Sequence, residues 1–441
     1  MTRLRPRFLK IAAAIAATSL ALAACGNDDQ NSGSSEDPSA ALEAGGTLTI
    51  WSWEGTLNQV VEDFNAEHPN VKVELVNAGS GNDHYNALQN AISAGSGGPD
   101  IAQVEYFALP QFAMTDALVD LSQFGAADHK DDFSPGPWAS VNFNDGVYGL
   151  PMDSGPIAMY YNKTLFDKHG IEVPTTWDEY VQAGIDLKKA APGSFITNDL
   201  GNAGVTQAII WQAGGRPYKI DGTTVTIDFE NDPGVQRYAE MWQQLIDKDL
   251  LAPIDLWSDE WYQGLADGTI ATLIAGAWMP ANLASGVESG AGDWRVAPVP
   301  QWQAGENVSA EHGGSSLAIM SGSENAALAY AFLEYANLGK GAQTRVDLGA
   351  FPAATGPMKS ENFATEKFEY FDGQQANEIF IDSAANVPEG WSFLPFQVYA
   401  NSVFNDTVGQ AYTTSTSMAE GLKNWQEVLI PYGTDQGFTM K

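Results

Sequence analysis

Cysteine is almost absent from this chain, since Cys25 is the only one among 441 residues. A single cysteine, at a position assigned below to lipidation, excludes a disulfide framework, a thiolate metal cluster and a cysteine nucleophile. Histidine is scarce too, and no metal-binding spacing such as H-E-x-x-H is found among His68, His84, His129, His169 and His312. The chain has no P-loop and no G-x-S-x-G elbow. The sequence therefore predicts no metal site and implies no cofactor.

Basic residues are few: 21 Lys and Arg stand against 55 Asp and Glu, which gives a formal net charge of −34. Nucleic acid is therefore a poor partner, because phosphate binding requires a basic surface. After Cys25 no apolar run is long enough to cross a membrane. The hydrophobic fraction of 44% is nevertheless ordinary for a globular protein. About 395 residues exceed what one hydrophobic core usually supports, so we expect two domains.

The N-terminus has the parts of a bacterial lipoprotein signal. Basic residues precede an apolar run, Ile11–Ala21, which is too short and too alanine-rich to span a membrane in the mature protein. The run leads into Leu-Ala-Ala-Cys at 22–25, where small residues suit the signal peptidase and the Cys25 thiol is the site of lipidation. We expect residues 1–24 to be a lipoprotein signal peptide. The alternative is an ordinary secretory peptide in which Cys25 is incidental.

The predicted mature chain is held by its lipid at the extracytoplasmic face of the cell membrane. Residues 25–45 are polar and rich in Gly and Ser, which is typical of a flexible tether. Residues 1–24 contain four basic and no acidic residues, so the mature chain has 17 Lys and Arg against 55 Asp and Glu, a net charge of −38. An anionic leaflet would repel such a chain in the absence of the lipid.

Strands alternate with helices near the start of the folded part. Apolar patterning predicts strands at Thr47–Trp51, Val71–Val76 and Ile101–Glu105, with helices at Leu57–Glu67 and ending at Ala94. This alternation predicts a parallel α/β sheet, in which ligands bind beyond the carboxyl ends of the strands.

The middle of the chain is more helical. A helix is expected after Asp232-Pro233 and a hairpin around Asp221-Gly222. A further strand is predicted at Ile270–Ile274, and no internal repeat is present.

Six segments in a fixed order resemble a known family, the family 1 extracellular solute-binding proteins, which are sugar-binding lipoproteins of bacterial ABC importers. The segments are GGPDIAQVEYFALPQF, GVYGLPMDSGPIAMYYNKTLF, VPTTWDEY, DGTIATLIAGAWMPANL, LPFQVYANSVFND and WQEVLIPYGTDQGF. The resemblance covers nearly the whole mature chain. It implies a two-lobed α/β fold of the type II periplasmic-binding-protein kind, with a hinge and a central ligand cleft.

The resemblance also implies how the chain is divided between the lobes. We expect residues 46–155 and 312–355 to form the N-lobe, and 156–311 and 356–441 to form the more helical C-lobe. The chain would cross between lobes near Gly155–Met159, Val308–Gly313 and Ala354–Met358. Closure around a sugar would create the shape that a membrane permease recognises. The protein is expected to act as a monomer.

Sugars are bound by aromatic faces and planar polar side chains, because a pyranose has apolar C–H faces and hydroxyls that need hydrogen-bond partners once desolvated. The chain has thirteen tryptophans, several of them at predicted strand ends or loops. The family places a sugar-contacting residue near Asp153. The candidate ligand-binding residues are Trp51, Trp53, Glu54, Glu105, Asp153, Trp211, Trp278, Gly314 and Trp391.

Each candidate also has a structural interpretation. A tryptophan is more often a core residue than a ligand platform. Glu105 and Asp153 can serve as helix caps, and the glycine run before Ser315 can be a plain turn. The stretch Trp51-Ser52-Trp53-Glu54 is the clearest case, because it follows the first strand directly. We expect at least one of its indoles to stack on sugar while Glu54 or Ser52 bonds hydroxyls.

The sequence thus favours a binding protein that captures a carbohydrate, more specifically an oligosaccharide, since several aromatics can each stack a separate sugar unit. A cell-surface glycoside hydrolase is the enzymatic alternative, because two carboxylates suffice for that reaction. The α/β pattern nevertheless lacks the eight repeated units of a barrel. A passive surface adhesin is the third possibility, and its sheet would be capped instead of open to a cleft.

Overall fold

The computed structural model describes residues 37–198 and 203–441. The predicted signal peptide and the lipidation site Cys25 lie outside the described residues. The last part of the predicted tether does not fit its prediction, because residues 38–44 form a helix. The Asp37 carboxylate caps this helix by accepting a hydrogen bond from the Ser39 N–H at 2.9 Å. Ala41 and Leu42 pack against the adjacent hydrophobic core, so this segment belongs to the folded body.

The strands fall into small sheets spread along the whole described chain. They are β1 Gly46–Trp51, β2 Val71–Val76, β3 Ile101–Glu105, β4 Asn142–Phe143, β5 Gly146–Val147, β6 Leu150–Pro151, β7 Ile157–Asn162, β8 Thr197–Asn198, β9 Tyr218–Asp221, β10 Thr224–Ile227, β11 Leu251–Ala252, β12 Thr272–Gly276, β13 Trp294–Pro298, β14 Ser315–Ile319 and β15 Thr439–Met440.

The α-helices range in length from a single turn to the long helix Met418–Asp435. They are α1 Pro38–Ala44, α2 Leu57–Glu67, α3 Gly81–Ala94, α4 Leu109–Ala113, α5 Pro135–Val141, α6 Lys163–His169, α7 Trp177–Ala190, α8 Ala203–Gln212, α9 Pro233–Asp247, α10 Asp259–Asp267, α11 Met279–Gly286, α12 Ala326–Asn337, α13 Lys340–Asp347, α14 Thr355–Met358, α15 Glu361–Ala364, α16 Ala376–Ala385, α17 Gln397–Ser402, α18 Phe404–Thr407, α19 Gln410–Thr413 and α20 Met418–Asp435. Among the residues described, no helix combines the length and the apolar character that a membrane crossing requires.

The first sheet has the order β2-β1-β3-β14-β6. Strand β1 runs parallel to β2 and β3, as the sequence predicts. A later strand, β14, joins this sheet antiparallel to both β3 and β6. This strand returns to the sheet from far along the chain and brings Ser315 opposite Glu105. The ends of β1, β3 and β6 and the start of β14 therefore meet at one edge.

The second sheet, β12-β7-β13, is antiparallel throughout. Isolated backbone bridges link segments near the two sheets, including Pro156 with Glu311 and Asp153 with Pro352. The predicted hairpin is present as β9 and β10. The predicted strand at Ile270–Ile274 is shifted to Thr272–Gly276, and Ile270 itself forms only a bridge with Phe195.

Three hydrophobic cores formed by the described residues surround these sheets. One lies on the first sheet and contains Leu48 and Leu317. The second sheet carries a core on each side, one with Trp177 and Trp425 and the other with Trp261. Five of the thirteen tryptophans are less than 2% exposed, so a high tryptophan count partly reflects core packing.

The two best-predicted helices show why local sequence fixes them. Helix α2 buries Leu57, Val60, Val61 and Phe64, which recur at helical spacing. Helix α9 begins after Asp232, whose carboxylate accepts hydrogen bonds from the N–H groups at the start of the helix at 2.9 Å.

Candidate functional site

A cavity of about 680 Å³ lies beyond the edge where β1, β3, β6 and β14 meet. This is a typical size for a small-molecule site. Its opposite wall is formed by residues near the second sheet and by loops from later in the chain. The parallel strands thus open onto a cavity at their carboxyl ends, where an α/β sheet is expected to bind its ligand.

Eight of the nine residues proposed from the sequence line this cavity. They are Trp53, Glu54, Glu105, Asp153, Trp211, Trp278, Gly314 and Trp391. Trp51 does not line it. This indole is partly buried against the first core, with its ring centroid 6.5 Å from that of His84. We therefore exclude Trp51 from the proposed site.

The chain turns after the first strand, and Ser52 and Trp53 in this turn have different roles. Ser52 is buried and donates a hydrogen bond to Gln103 Oε1 at 2.5 Å. The hydroxyl of Ser52 therefore holds the turn, and of the two residues expected to bond sugar hydroxyls, Glu54 is the one that lines the cavity. Trp53 is the indole that reaches the cavity. Its ring lies edge-on to His84, with 4.9 Å between centroids.

Two tryptophans pack against each other in another part of the cavity wall. Trp278 follows β12, and its indole N–H donates to the His312 carbonyl at 2.7 Å. Trp257, which the sequence analysis did not single out, is 44% exposed and has a φ of 65°. The two ring centroids are 5.9 Å apart. A bulky residue in the left-handed region is strained, and such residues cluster at ligand-binding sites.

Trp211 and Trp391 form a stacked pair, with 5.2 Å between ring centroids and an interplanar angle of 6°. The prediction that Trp211 lies in a loop or strand end is wrong, because it belongs to helix α8. It is 3% exposed, and its indole N–H donates to the Pro388 carbonyl at 2.8 Å. Trp211 thus supports Trp391, which lies in a loop and is only partly buried.

Acidic side chains are concentrated on the first-sheet side of the cavity. The Tyr85 hydroxyl donates to Glu105 Oε2 at 3.0 Å, and the Ser315 N–H donates to Asp153 Oδ1 at 2.6 Å. Desolvation raises the pKa of Glu105 to about 7 and that of Asp153 to about 6. Arg345 counteracts the shift in the pKa of Asp153. These carboxyl groups are positioned by the protein before any ligand arrives.

Glu311 joins two neighbouring segments at the bottom of the cavity. Its carboxylate accepts hydrogen bonds from the Ser154 hydroxyl at 2.9 Å and from the Gly155 N–H at 2.6 Å. Burial raises the pKa of Glu311 to about 8. The same burial lowers the pKa of the neighbouring His312 to about 4, so this imidazole is neutral at physiological pH.

Position 314 requires glycine because of its backbone conformation and the packing around it. Its φ is 94°, and a Cβ there would lie 2.5 Å from the ring of Tyr106. The Tyr106 hydroxyl in turn donates to the Asp153 carbonyl at 2.6 Å. Glycine at 314 therefore lets Tyr106 hold Asp153, in addition to leaving room in the cavity.

Three polar atoms of the cavity wall are buried and have no hydrogen-bond partner among the described residues. They are Gln207 Oε1, His312 Nδ1 and Trp391 Nε1. A buried polar group without a partner costs about 1–3 kcal/mol. These atoms have almost no accessible surface, so a ligand could hydrogen-bond to them only if the cavity wall moved.

Sequence reasoning missed several residues that line the cavity, including Phe107, Gln207, Trp257, Asn282, Glu311 and Phe393. Glu311 had a usable signal, since it lies two residues before the glycine run already singled out. Gln207 and Asn282 lie in helices and resemble ordinary helix residues.

The arrangement suits binding of a neutral polar ligand. Indoles on both walls provide stacking surfaces, and fixed carboxylates and an amide provide hydrogen-bond partners. Within residues 37–198 and 203–441, no group of three or more His, Asp or Glu side chains is arranged to hold a metal ion.

Comparison with known proteins matches most of the chain. The family model described as bacterial extracellular solute-binding protein matches residues 51–343. The arabinooligosaccharide-binding protein of Halalkalibacterium halodurans is 25% identical over 416 residues, which cover 88% of this chain and 90% of that protein.

Two solved structures are similar in sequence as well as in fold. The ABC transporter associated binding protein from B. animalis subsp. lactis Bl-04, in complex with β-1,6-galactobiose, is 41% identical with a TM-score of 0.80, covering 90% of this chain and 99% of that one. The galacto-N-biose/lacto-N-biose I-binding protein of the ABC transporter from Bifidobacterium longum, in complex with lacto-N-biose, is 27% identical with a TM-score of 0.78, covering 90% and 99%. They confirm the predicted two-lobed α/β fold of the periplasmic-binding-protein kind.

Proposed function

The chain belongs to the bacterial extracellular solute-binding proteins, and from this we propose that it captures a neutral oligosaccharide for an ABC transporter. The observation that carries the proposal is the cavity wall, which combines indole faces with carboxyl and amide side chains held in place by the protein. Relatives named for arabinooligosaccharide, β-1,6-galactobiose and lacto-N-biose binding support a short oligosaccharide as the ligand.

We place the two lobes at 46–155 with 312–355 and at 156–311 with 356–441. The separate cores on the two sheets support this division. Val346 and Phe351 are exceptions, because they pack in the core around Trp261. Sugar binding would draw the cavity walls together, since only a closed cleft desolvates both faces of a sugar ring. The closed protein, acting as a monomer, is then the form that the permease subunits recognise.

A thermal-shift screen of the mature domain against neutral mono- and oligosaccharides tests the ligand class. At a hundredfold excess over Kd, a bound sugar stabilises the folded state by about 2.7 kcal/mol and raises the melting temperature. Micromolar affinity, about 8 kcal/mol of binding free energy, is expected. A shift with a peptide or polyamine and none with any sugar would overturn the proposal.

The same samples distinguish binding from hydrolysis. We propose that the protein is not an enzyme, and we expect the bound sugar to be recovered intact after long incubation. A glycoside hydrolase would release reducing ends by means of two carboxyl groups that flank the scissile bond. Release that copurifies with the protein and disappears in a Glu105→Gln variant would favour the hydrolase.

We also propose that Cys25 carries a lipid that anchors the protein outside the cytoplasm. Cys25→Ser should move the protein from the membrane fraction to the soluble fraction, because one thiol carries the whole anchor. Sugar affinity of the released protein should equal that of wild type, since the cavity is built from residues 53–401. Continued fractionation with membranes would contradict the lipidation assignment.

A further inference from the structure

A second cavity of about 190 Å³ adjoins the central one and shares two walls with it, Trp391 and Phe393. Its remaining walls come from α4, from the segment 139–144, from Ile220 and from Ser392. The loop around Trp391 therefore forms a partition between the two cavities. A ligand chain that passes this partition would leave the first cavity and enter the second.

The chemistry of the second cavity is that of a sugar subsite. Two phenylalanine rings and the Trp391 indole alternate with amide and hydroxyl side chains, namely Ser140, Asn142, Asn144 and Ser392. None of the residues that line it is Asp, Glu, Lys, Arg or His. In a chain with a net charge of −34, a polar cavity free of ionisable groups indicates a neutral ligand.

Several of its polar groups are available. Ser140 donates to the Gly136 carbonyl at 2.9 Å and keeps its acceptor lone pairs, and Asn142 donates to the Trp138 carbonyl at 2.5 Å and keeps its amide oxygen. Sugar hydroxyls are both donors and acceptors and match this set.

A third cavity also adjoins the central one and shares Trp257, Trp278 and His312 with it. The small cavity beside Trp257 and Trp278 holds only about 30 Å³, which is room for about one water molecule. Of these two adjoining cavities, the one past Trp391 has room for a further sugar unit and the one beside Trp278 does not.

We propose that the cavity bounded by Trp391, Phe393 and Asn142 is an additional carbohydrate subsite that takes the next sugar unit of a longer oligosaccharide. The proposal rests on the proposed function and deepens it, because it fixes the direction in which the ligand grows. A stacked unit with a few hydroxyl contacts should tighten binding roughly tenfold, by analogy with the stacking of bases on aromatic rings.

The test is calorimetric titration of the mature protein with β-1,6-galacto-oligosaccharides and arabino-oligosaccharides of two, three and four units. In the series that binds, the ratio of disaccharide Kd to trisaccharide Kd should be roughly ten. Ala139→Phe adds a ring at an exposed position of the second cavity and should bring this ratio close to one. The matched control is Ala94→Phe, at an exposed helix position that lines neither cavity, and it should keep the wild-type ratio.

A circular dichroism melt of both variants confirms that they are folded before titration. Equal Kd values for all chain lengths in wild type would overturn the subsite while leaving sugar binding in place. A length preference that survives Ala139→Phe would do the same. Absence of binding by every member of both series would overturn the proposed function and the subsite together.

Discussion

Replacing Arg345 by methionine should lower the free energy of unfolding by about 3–5 kcal/mol near neutral pH. The Arg345 side chain is 2% exposed, and its Nε lies 3.7 Å from Glu54 Oε2. Its guanidinium also donates to the Met152 carbonyl at 2.5 Å and to the Thr56 hydroxyl at 3.2 Å. Removing one partner of a buried ion pair is expensive, because the other charge remains desolvated without compensation.

The loss should depend on pH, and its sign follows from Asp153. Arg345 holds the pKa of Asp153 below the value that burial alone would produce. Without the cation this pKa rises further in the folded state. A carboxyl group with a raised folded-state pKa keeps its proton where the unfolded chain has lost it, so stability falls as pH rises. The variant should therefore be closer to wild type at about pH 5 than at about pH 8.

Urea unfolding at both pH values measures the effect. Lys340→Met is the matched control, because Lys340 lies on the same helix but is exposed, with Nζ 2.9 Å from Glu67 Oε2. An exposed pair of this kind contributes little, so the control should unfold like wild type. A loss below about 1 kcal/mol for Arg345→Met at both pH values would show that its charge does not stabilise the acidic wall.

Arg345 also illustrates what the sequence could not provide. It lies in α13, in the stretch KGAQTRVD, which resembles an ordinary exposed helix end. Its burial depends on Glu54 and Met152, which are far away along the chain. No local pattern contains that information.

Predictions based on local periodicity were the most accurate. Helix α2 and strands β2 and β3 have their predicted bounds, because side-chain spacing and the flanking Pro, Gly and Asn residues determine them. The antiparallel strand β14 was missed for the opposite reason. Its partner β3 precedes it by about two hundred residues, so its direction depends on the path of the chain through the other lobe.

The candidate site could be predicted where a residue directly follows a strand of the first sheet. Glu105 ends β3 and Asp153 follows β6, and the sheet rule places both at the cavity. Trp257 could not be found in this way, because it lies in a loop before the cap of α10. Its exposure and positive φ are properties of the folded chain only.

Trp51 and Trp53 show that the same rule cannot distinguish between residues two positions apart. Trp51 ends β1 and Trp53 follows it, and the sequence predicted the same role for both. Strand β1 stops at Trp51, whose register partners are Val76 and Ala102 within the sheet. The hydrogen bond from Ser52 to Gln103 then turns the chain and directs Trp53 into the cavity. A side-chain hydrogen bond to a neighbouring strand thus decides which indole faces the ligand.

The two indoles should therefore respond differently to truncation. Trp53→Ala should weaken sugar binding by about 1–3 kcal/mol, or roughly 5- to 150-fold in Kd, by analogy with stacking of bases on aromatic rings. Its melting temperature should change little, since the ring lies at a cavity wall. Trp51→Ala should leave Kd unchanged and lower stability, by less than the 3–5 kcal/mol typical of a fully buried tryptophan, because Trp51 is only partly buried. Each protein is melted without ligand and titrated with the sugar identified in the thermal screen. If Trp51→Ala weakens binding while Trp53→Ala only destabilises the fold, the proposed orientation of the two side chains is wrong.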